Sequence, residues 1–174
     1  MERLRFRNDD KACEILMTWR KDLARHTAAR AELRRAQTPL DVARIGYFHV
    51  LISRLREADY NVNLYNSDAV AIAAALVARI RYYNGRSTFA KQMSEKRRGT
   101  PLISKMRLKR ILDAEEHEDI IRELSSAIRI MGERANILDL ADGIVNWNDR
   151  VRRDWLYRYY GNTDIEEKEK TIWN

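Results

Sequence analysis

Metal chemistry, thiol chemistry or acid–base work would show first in the histidines, the cysteine and the carboxylates of this 174-residue chain. The three histidines, His26, His49 and His117, are scattered, and none has a second His or Cys at helix-face spacing. His117 stands among Asp113, Glu116 and Asp119, which could be drawn as a metal site. An acid-rich first helical turn accounts for the same residues through the helix dipole alone. Cys13 lies beside an apolar stripe, has no partner for a disulfide and leaves no cysteine cluster for zinc. Most acids sit near Arg or Lys at i,i+4, as in Glu118 and Arg122, where surface pairing is the default. No phosphate-binding P-loop, dinucleotide fingerprint, HExxH or GxSxG is present. The residues point to no catalysis, no cofactor and no metal.

Phosphate binding is the chemistry the chain does advertise. Its 33 Lys and Arg against 26 Asp and Glu leave +7, with a pI near 9.7. Residues 79–110 hold eleven basic side chains and one acid, Glu95, a net of +10 in 32 residues. Residues 111–174 carry a net of −6. Such concentration predicts an anion-binding surface, with nucleic acid as the first candidate partner. Among the aromatics, Trp147, Trp155, Tyr159 and Tyr160 have helical spacing and read as core. Tyr82 and Tyr83, beside Arg81 and Arg86, are better placed to stack on bases.

Helices must position these groups. Six Gly and two Pro are about 5% of the chain, against roughly 12% in average usage, too few for a sandwich or a barrel. Asp9 or Asp10 can cap a helix to about Arg25, striped by Ile15, Leu16, Trp19 and Leu23. A short segment from Thr27 projects Arg30, Arg34 and Arg35. Thr38 and Pro39 start a helix expected to run to about Arg56. After the loop ADYNVNLYN, Ser67 is expected to cap the most apolar and central helix. Phe89–Met93 is a brief helix, and EKRRGTP with Lys96, Arg97 and Arg98 is the most polar loop. Ser104 caps a helix in which Leu108, Ile111 and Leu112 form the stripe; Lys105 and Lys109 flank it on one side, Arg107 and Arg110 on the other. Residues 117–131 have the cleanest helical period. Two further helical segments lie at about 138–145 and 149–160, with Asn146-Trp147-Asn148 either between them or inside one long helix.

The pattern predicts an all-α bundle of about seven to nine helices with no sheet. It forms a single domain over 1–161, with halves 1–95 and 102–161 joined by the basic loop 96–101 and followed by a frayed acidic tail at 162–174. The longest apolar run, Ala69 to Ala78, is well short of the roughly 20 residues of a membrane span. With no apolar segment near the N-terminus and one cysteine, a soluble cytoplasmic protein is expected.

Together these segments resemble the CasB family, the small subunit of the type I-E CRISPR interference complex called Cascade. The resemblance runs from Trp19 to Gly161. It rests on a Trp-containing first helix, ARAELRR, the Phe-Ala-Lys of TFAKQM, and Ser104, Arg107, Leu108, Arg110, Ile111 and Leu112 in order. An amphipathic helix with Leu124 and Ile128 follows, then Trp147 and the Arg-rich WNDRVRRDWLYRYY. It implies two packed helical halves without catalytic activity. Two copies would lie head to tail in the complex, against the backbone and large subunits. Basic side chains would touch the backbones of guide RNA and target DNA and stabilise the R-loop. Carried over by motif, the binding residues are Arg34, Arg35, Lys91, Arg107 and Arg110. Arg97, Arg98, Arg30 and Lys105 join them from the charge pattern. Family members often carry Arg or Lys where Ser125 and Ser126 stand, so Arg122 or Arg129 would take that role here.

Two other classes fit the same charge: a stand-alone helical DNA-binding regulator, and an adaptor whose basic face meets an acidic protein. Against the regulator, no short turn joins two helices of which the second offers base-reading side chains along one face.

Overall fold

The structure, a computed structural model, describes residues 2–161. The expected acidic tail at 162–174 lies outside the described residues. Helix α1 (Asp10–Leu23) begins where the Asp9 carboxylate accepts from the Lys11 and Ala12 amides at 3.1 and 3.2 Å. It buries Ala12, Leu16, Trp19 and Leu23 at helical spacing. The Trp19 indole donates to the Tyr47 carbonyl at 3.1 Å and its ring stacks on Tyr47. Helix α2 (Thr27–Arg35) buries only Leu33.

The single helix expected from Pro39 to Arg56 is two. Helix α3 (Pro39–Ala43) has a complete capping box, Thr38 with Asp41. The chain then leaves helical geometry at Ile45 (φ −90°, ψ 112°), which turns its side chain into the core, and α4 (Gly46–Glu57) starts afresh. Gly46, the residue with most backbone freedom to lose, makes this the cheapest place to interrupt the helix. Phe48 is buried and His49 exposed.

Helix α5 (Ser67–Arg79) buries every residue from Val70 to Ala78, as its all-round apolar sequence requires. Asn66, not Ser67, holds its N-cap position; the Ser67 hydroxyl instead donates to the Leu64 carbonyl. Helices α6 (Phe89–Met93), α7 (Lys105–Asp113), α8 (His117–Ile130), α9 (Ile137–Val145) and α10 (Asp149–Tyr159) follow. Helix α5 packs on α2, α3, α8 and α9, and α6 packs on α9 and α10. Asn148 caps α10 by accepting from the Val151 amide, so Asn146-Trp147-Asn148 does separate two helices. At Gly143 a Cβ would stand 2.9 Å from the Trp155 ring, so α9 and α10 meet this closely only over glycine.

The all-α class holds, with ten helices among the described residues. Two ladders of two residues per strand add what helical periodicity could not show. Strand β1 (Tyr82–Tyr83) pairs in parallel with β4 (Arg134–Ala135), Tyr82 opposite Arg134. Strands β2 (Lys96–Arg97) and β3 (Thr100–Pro101) form a hairpin out of the expected basic loop. Its turn residues, Arg98 (φ +53°) and Gly99 (φ +84°), both have positive φ, the signature of a type I′ turn.

The N-terminal strap is also tertiary in origin. Leu4 and Phe6 are buried, and the Phe6 and Arg7 amides donate to the Asp142 carboxylate at 2.7 and 3.4 Å. The neighbouring Asp139 accepts from the Phe89 amide at 2.7 Å and lies 3.3 Å from the Arg7 guanidinium. Burial nevertheless holds the Asp139 carboxyl above the usual carboxylate range. No helix among the described residues is long and apolar enough to cross a membrane.

Candidate nucleic-acid interface

The groups considered first for chemistry are dispersed over the fold. Cys13 is half-buried, and burial, helped by Asp10 and Asp9, pushes its thiol up, the reverse of an activated nucleophile. His117 lies 3.7 Å from Asp68, and no cluster of metal-ligating side chains occurs among the described residues. The expected Glu118–Arg122 pair does not form. Arg122 instead meets Asp119 at 2.7 Å and Glu123 at 3.5 Å.

Arginine side chains tie α1, α2 and α5 together where the chain enters β1. Arg79, counted above with the basic stretch, is a structural cap rather than a surface cation. It donates to the Leu33, Ala36 and Ala75 carbonyls at 3.0, 2.6 and 2.7 Å, closing the C-terminus of α2 onto α5. Burial, with the nearby Arg34 charge, brings its pKa down to about 10. Arg20 likewise reaches from α1 to the Ile80 and Arg81 carbonyls, at 3.2 and 3.0 Å. Burial lowers its pKa, and so does the charge of Arg30. These contacts fix the chain as it enters β1.

On that frame Arg34 pairs with Glu133 at 2.5 Å, beside β4. The Glu133 carbonyl accepts from both the Arg81 and Tyr82 amides, at 2.8 and 3.0 Å. The Tyr82 ring, 48% exposed, has the Arg81 guanidinium 5.8 Å and the Arg134 guanidinium 5.3 Å from its centroid. Next to it opens a cleft of about 250 Å³ whose walls include Tyr82, Glu95, Arg97, Met131 and Arg134. Of the predicted binding residues, Arg97 therefore lines a cleft with Arg134, Arg30 lies close enough to Arg20 to act on its charge, and Arg34 reaches Glu133, the residue before Arg134. Arg98 occupies the tip of the adjoining hairpin, and Arg35 is exposed at the end of α2.

The remaining predicted residues sit on other elements. Lys105, at the start of α7, has its ammonium 5.5 Å from the centroid of the exposed Tyr160 ring. Arg107 is half-buried on α7, and Arg110 lies 4.0 Å from Glu123. Both flank the buried Leu108–Ile111–Leu112 stripe as expected. Lys91 is exposed on α6 and Arg129 on the last turn of α8. Arg122 is paired with its two acids, whereas Arg129 is exposed on the helix that holds the half-buried Ser125 and Ser126.

Sequence reasoning missed Arg20 and Arg134. The signal for Arg134 is only a parallel pairing with Tyr82, half a hundred residues away, and no local pattern carries that. Trp155 and Tyr159 are core as expected and Trp147 is half-buried, while Tyr160 is exposed.

The model of the CRISPR-associated protein Cse2 family matches residues 29–160, about three-quarters of the chain. The chain belongs to the Cse2 family. This is the CasB small subunit of type I-E Cascade that its motifs resemble. No curated protein and no solved structure matches it. The matched span includes Arg30, Arg34, Arg81, Arg97, Arg134 and the whole of α7.

Proposed function

We propose that this Cse2-family chain is a non-catalytic, nucleic-acid-binding subunit of a type I-E surveillance complex in the cytoplasm. It steadies the R-loop by holding phosphate backbones of guide RNA or target DNA without reading sequence. One observation carries the reading: Arg81 and Arg134 lie beside the exposed Tyr82 ring and Arg97 lines the same cleft, from three separate stretches of chain. Like charges repel one another, so gathering them costs stability that an arriving anion would relieve. The hairpin supports the same reading. Arg98 occupies a left-handed position that suits Asn or Gly, which keeps a cation at the tip despite the backbone cost.

Binding to random-sequence DNA and RNA across a salt series tests this. Affinity should fall with a log–log slope of about −0.7 to −0.9 per phosphate contacted, and by the same factor on every sequence. An affinity that is flat with salt overturns the electrostatic basis. Strong sequence preference favours a regulator, and failure to bind any nucleic acid favours an adaptor for an acidic protein.

A further inference from the structure

We propose that the cleft walled by Tyr82, Arg97 and Arg134 seats one unpaired nucleobase of a single strand, stacked against the Tyr82 ring. The proposal deepens the nucleic-acid reading above and rests on it.

Phosphate binding alone does not call for this construction. Tyr82 is half-exposed although a large ring could have been buried. Its backbone is locked, with its amide on the Glu133 carbonyl at 3.0 Å and the Asn84 amide on the Ala135 carbonyl at 3.0 Å. The ring therefore projects from a fixed backbone with the Arg81 and Arg134 guanidinium groups beside it, which lowers the entropy lost when a base stacks on it. The floor is equally rigid. Gln92 is buried, donates to the Asn84 carbonyl at 2.8 Å and accepts from the Asn136 amide at 2.8 Å. Met131 and Leu102 contribute apolar surface, which suits a base face and not a phosphate.

The charges divide the labour. Arg81 and Arg134 beside the ring, and Arg97 on the facing hairpin, draw in the strand. Glu95, the single acid of the basic stretch, also lines the cleft. A carboxylate there repels a phosphate but accepts from an exocyclic amino group, so the base edge enters and the backbone stays at the rim. In a duplex the bases are already paired and stacked, so only an unpaired base can reach the ring.

The test uses the full chain and fluorescence anisotropy at low salt. The probes are a short mixed-sequence single strand, the same backbone carrying abasic sites throughout, and the matching duplex. The base-bearing strand should bind more tightly than the abasic one. Tyr82→Ala should erase that advantage, a loss of roughly 5- to 140-fold, the range of base–aromatic stacking. Its effect on duplex affinity should be much smaller, while Tyr82→Phe keeps the preference and controls for folding. Equal binding of abasic and base-bearing strands by the unaltered protein overturns the proposal. So does a Tyr82→Ala loss that is the same on duplex, which would mean that the ring only steadies Arg81 and Arg134. If all three probes bind equally and with salt dependence, the cleft proposal alone falls; if none binds, the nucleic-acid reading falls with it. Running the single strands as both RNA and DNA tells which source supplies the base, from whichever shows the larger Tyr82 effect.

Discussion

The Arg34 guanidinium lies 2.5 Å from the Glu133 carboxylate, joining the last turn of α2 to the residue before β4, 99 positions along the chain. Each side chain keeps about a third of its surface exposed, so the pair contributes at most about 1 kcal/mol to stability. Its larger effect is on charge, because Glu133 neutralises one cation of the basic face. Glu133→Gln should therefore tighten nucleic-acid binding and steepen the salt slope by up to about 0.7–0.9 units as Arg34 becomes available to a phosphate. Arg34→Ala should do the reverse. Anisotropy titrations of both variants over a salt series decide it, and weaker binding by Glu133→Gln would show that the pair presents Arg34 rather than masking it.

The hairpin tip should trade stability against binding. Arg98 at φ +53° occupies the first position of a type I′ turn, where Asn is favoured. Arg98→Asn should raise stability by about 1 kcal/mol, the lower end of the cost of a left-handed non-Gly residue. It should also weaken nucleic-acid binding. Chemical denaturation and binding on the same preparation check both halves of the expectation.

Helix α7 separates surface from core within nine residues. Replacing Arg107 and Arg110 by Ala should preserve the fold, since neither belongs to the buried stripe and Ala is the better helix former. Each lost phosphate contact should lower the salt slope by about 0.7–0.9 units. Leu108→Ala, at a site 2% exposed, should cost roughly 2–5 kcal/mol with no specific effect on binding. If the arginine pair leaves the salt slope unchanged while Arg34→Ala lowers it, the interface is confined to the Tyr82 end.

Alkaline stability should depend on Tyr60. Burial, then its hydrogen bond to Asp9, pushes the Tyr60 pKa up to about 12. The same hydrogen bond holds the Asp9 carboxyl below its usual range. A raised tyrosine pKa means that the contribution is complete below the unfolded value near 10 and is lost as pH climbs towards 12. The lowered Asp9 works at the other end: its contribution is present above the usual carboxylate pKa and fades as pH falls through its lower folded value. Denaturant midpoints measured from pH 8 to about 12 should fall more steeply for the native chain than for Tyr60→Phe. Identical profiles would dismiss Tyr60 as the source.

Local signals were legible because they depend on neighbours within a turn or two. Scarce Gly and Pro with stripes such as Ile120, Ile121, Leu124 and Ile128 dictate helices. The Asp9, Thr38 and Ser104 caps settle where three of them start, because each bonds an amide two or three residues on. The +10 charge of residues 79–110 was legible for a similar reason, since charge is a property of residue type. What each cation touches is not. Arg79 and Arg97 belong to the same basic stretch. Packing put three carbonyls within reach of Arg79 and made it a cap of α2, while a positive-φ turn folded Arg97 back onto a cleft. The break at Ile45 follows the same logic, because burying that side chain with an extended backbone wins over continuing a helix. Tyr82 meets Arg134 only through a parallel ladder, and Asp142 meets the Phe6 amide 136 residues away. Contacts of that range form only after the helices have packed, so the sequence determined the helices and the charge, and the tertiary structure decided what each arginine touches.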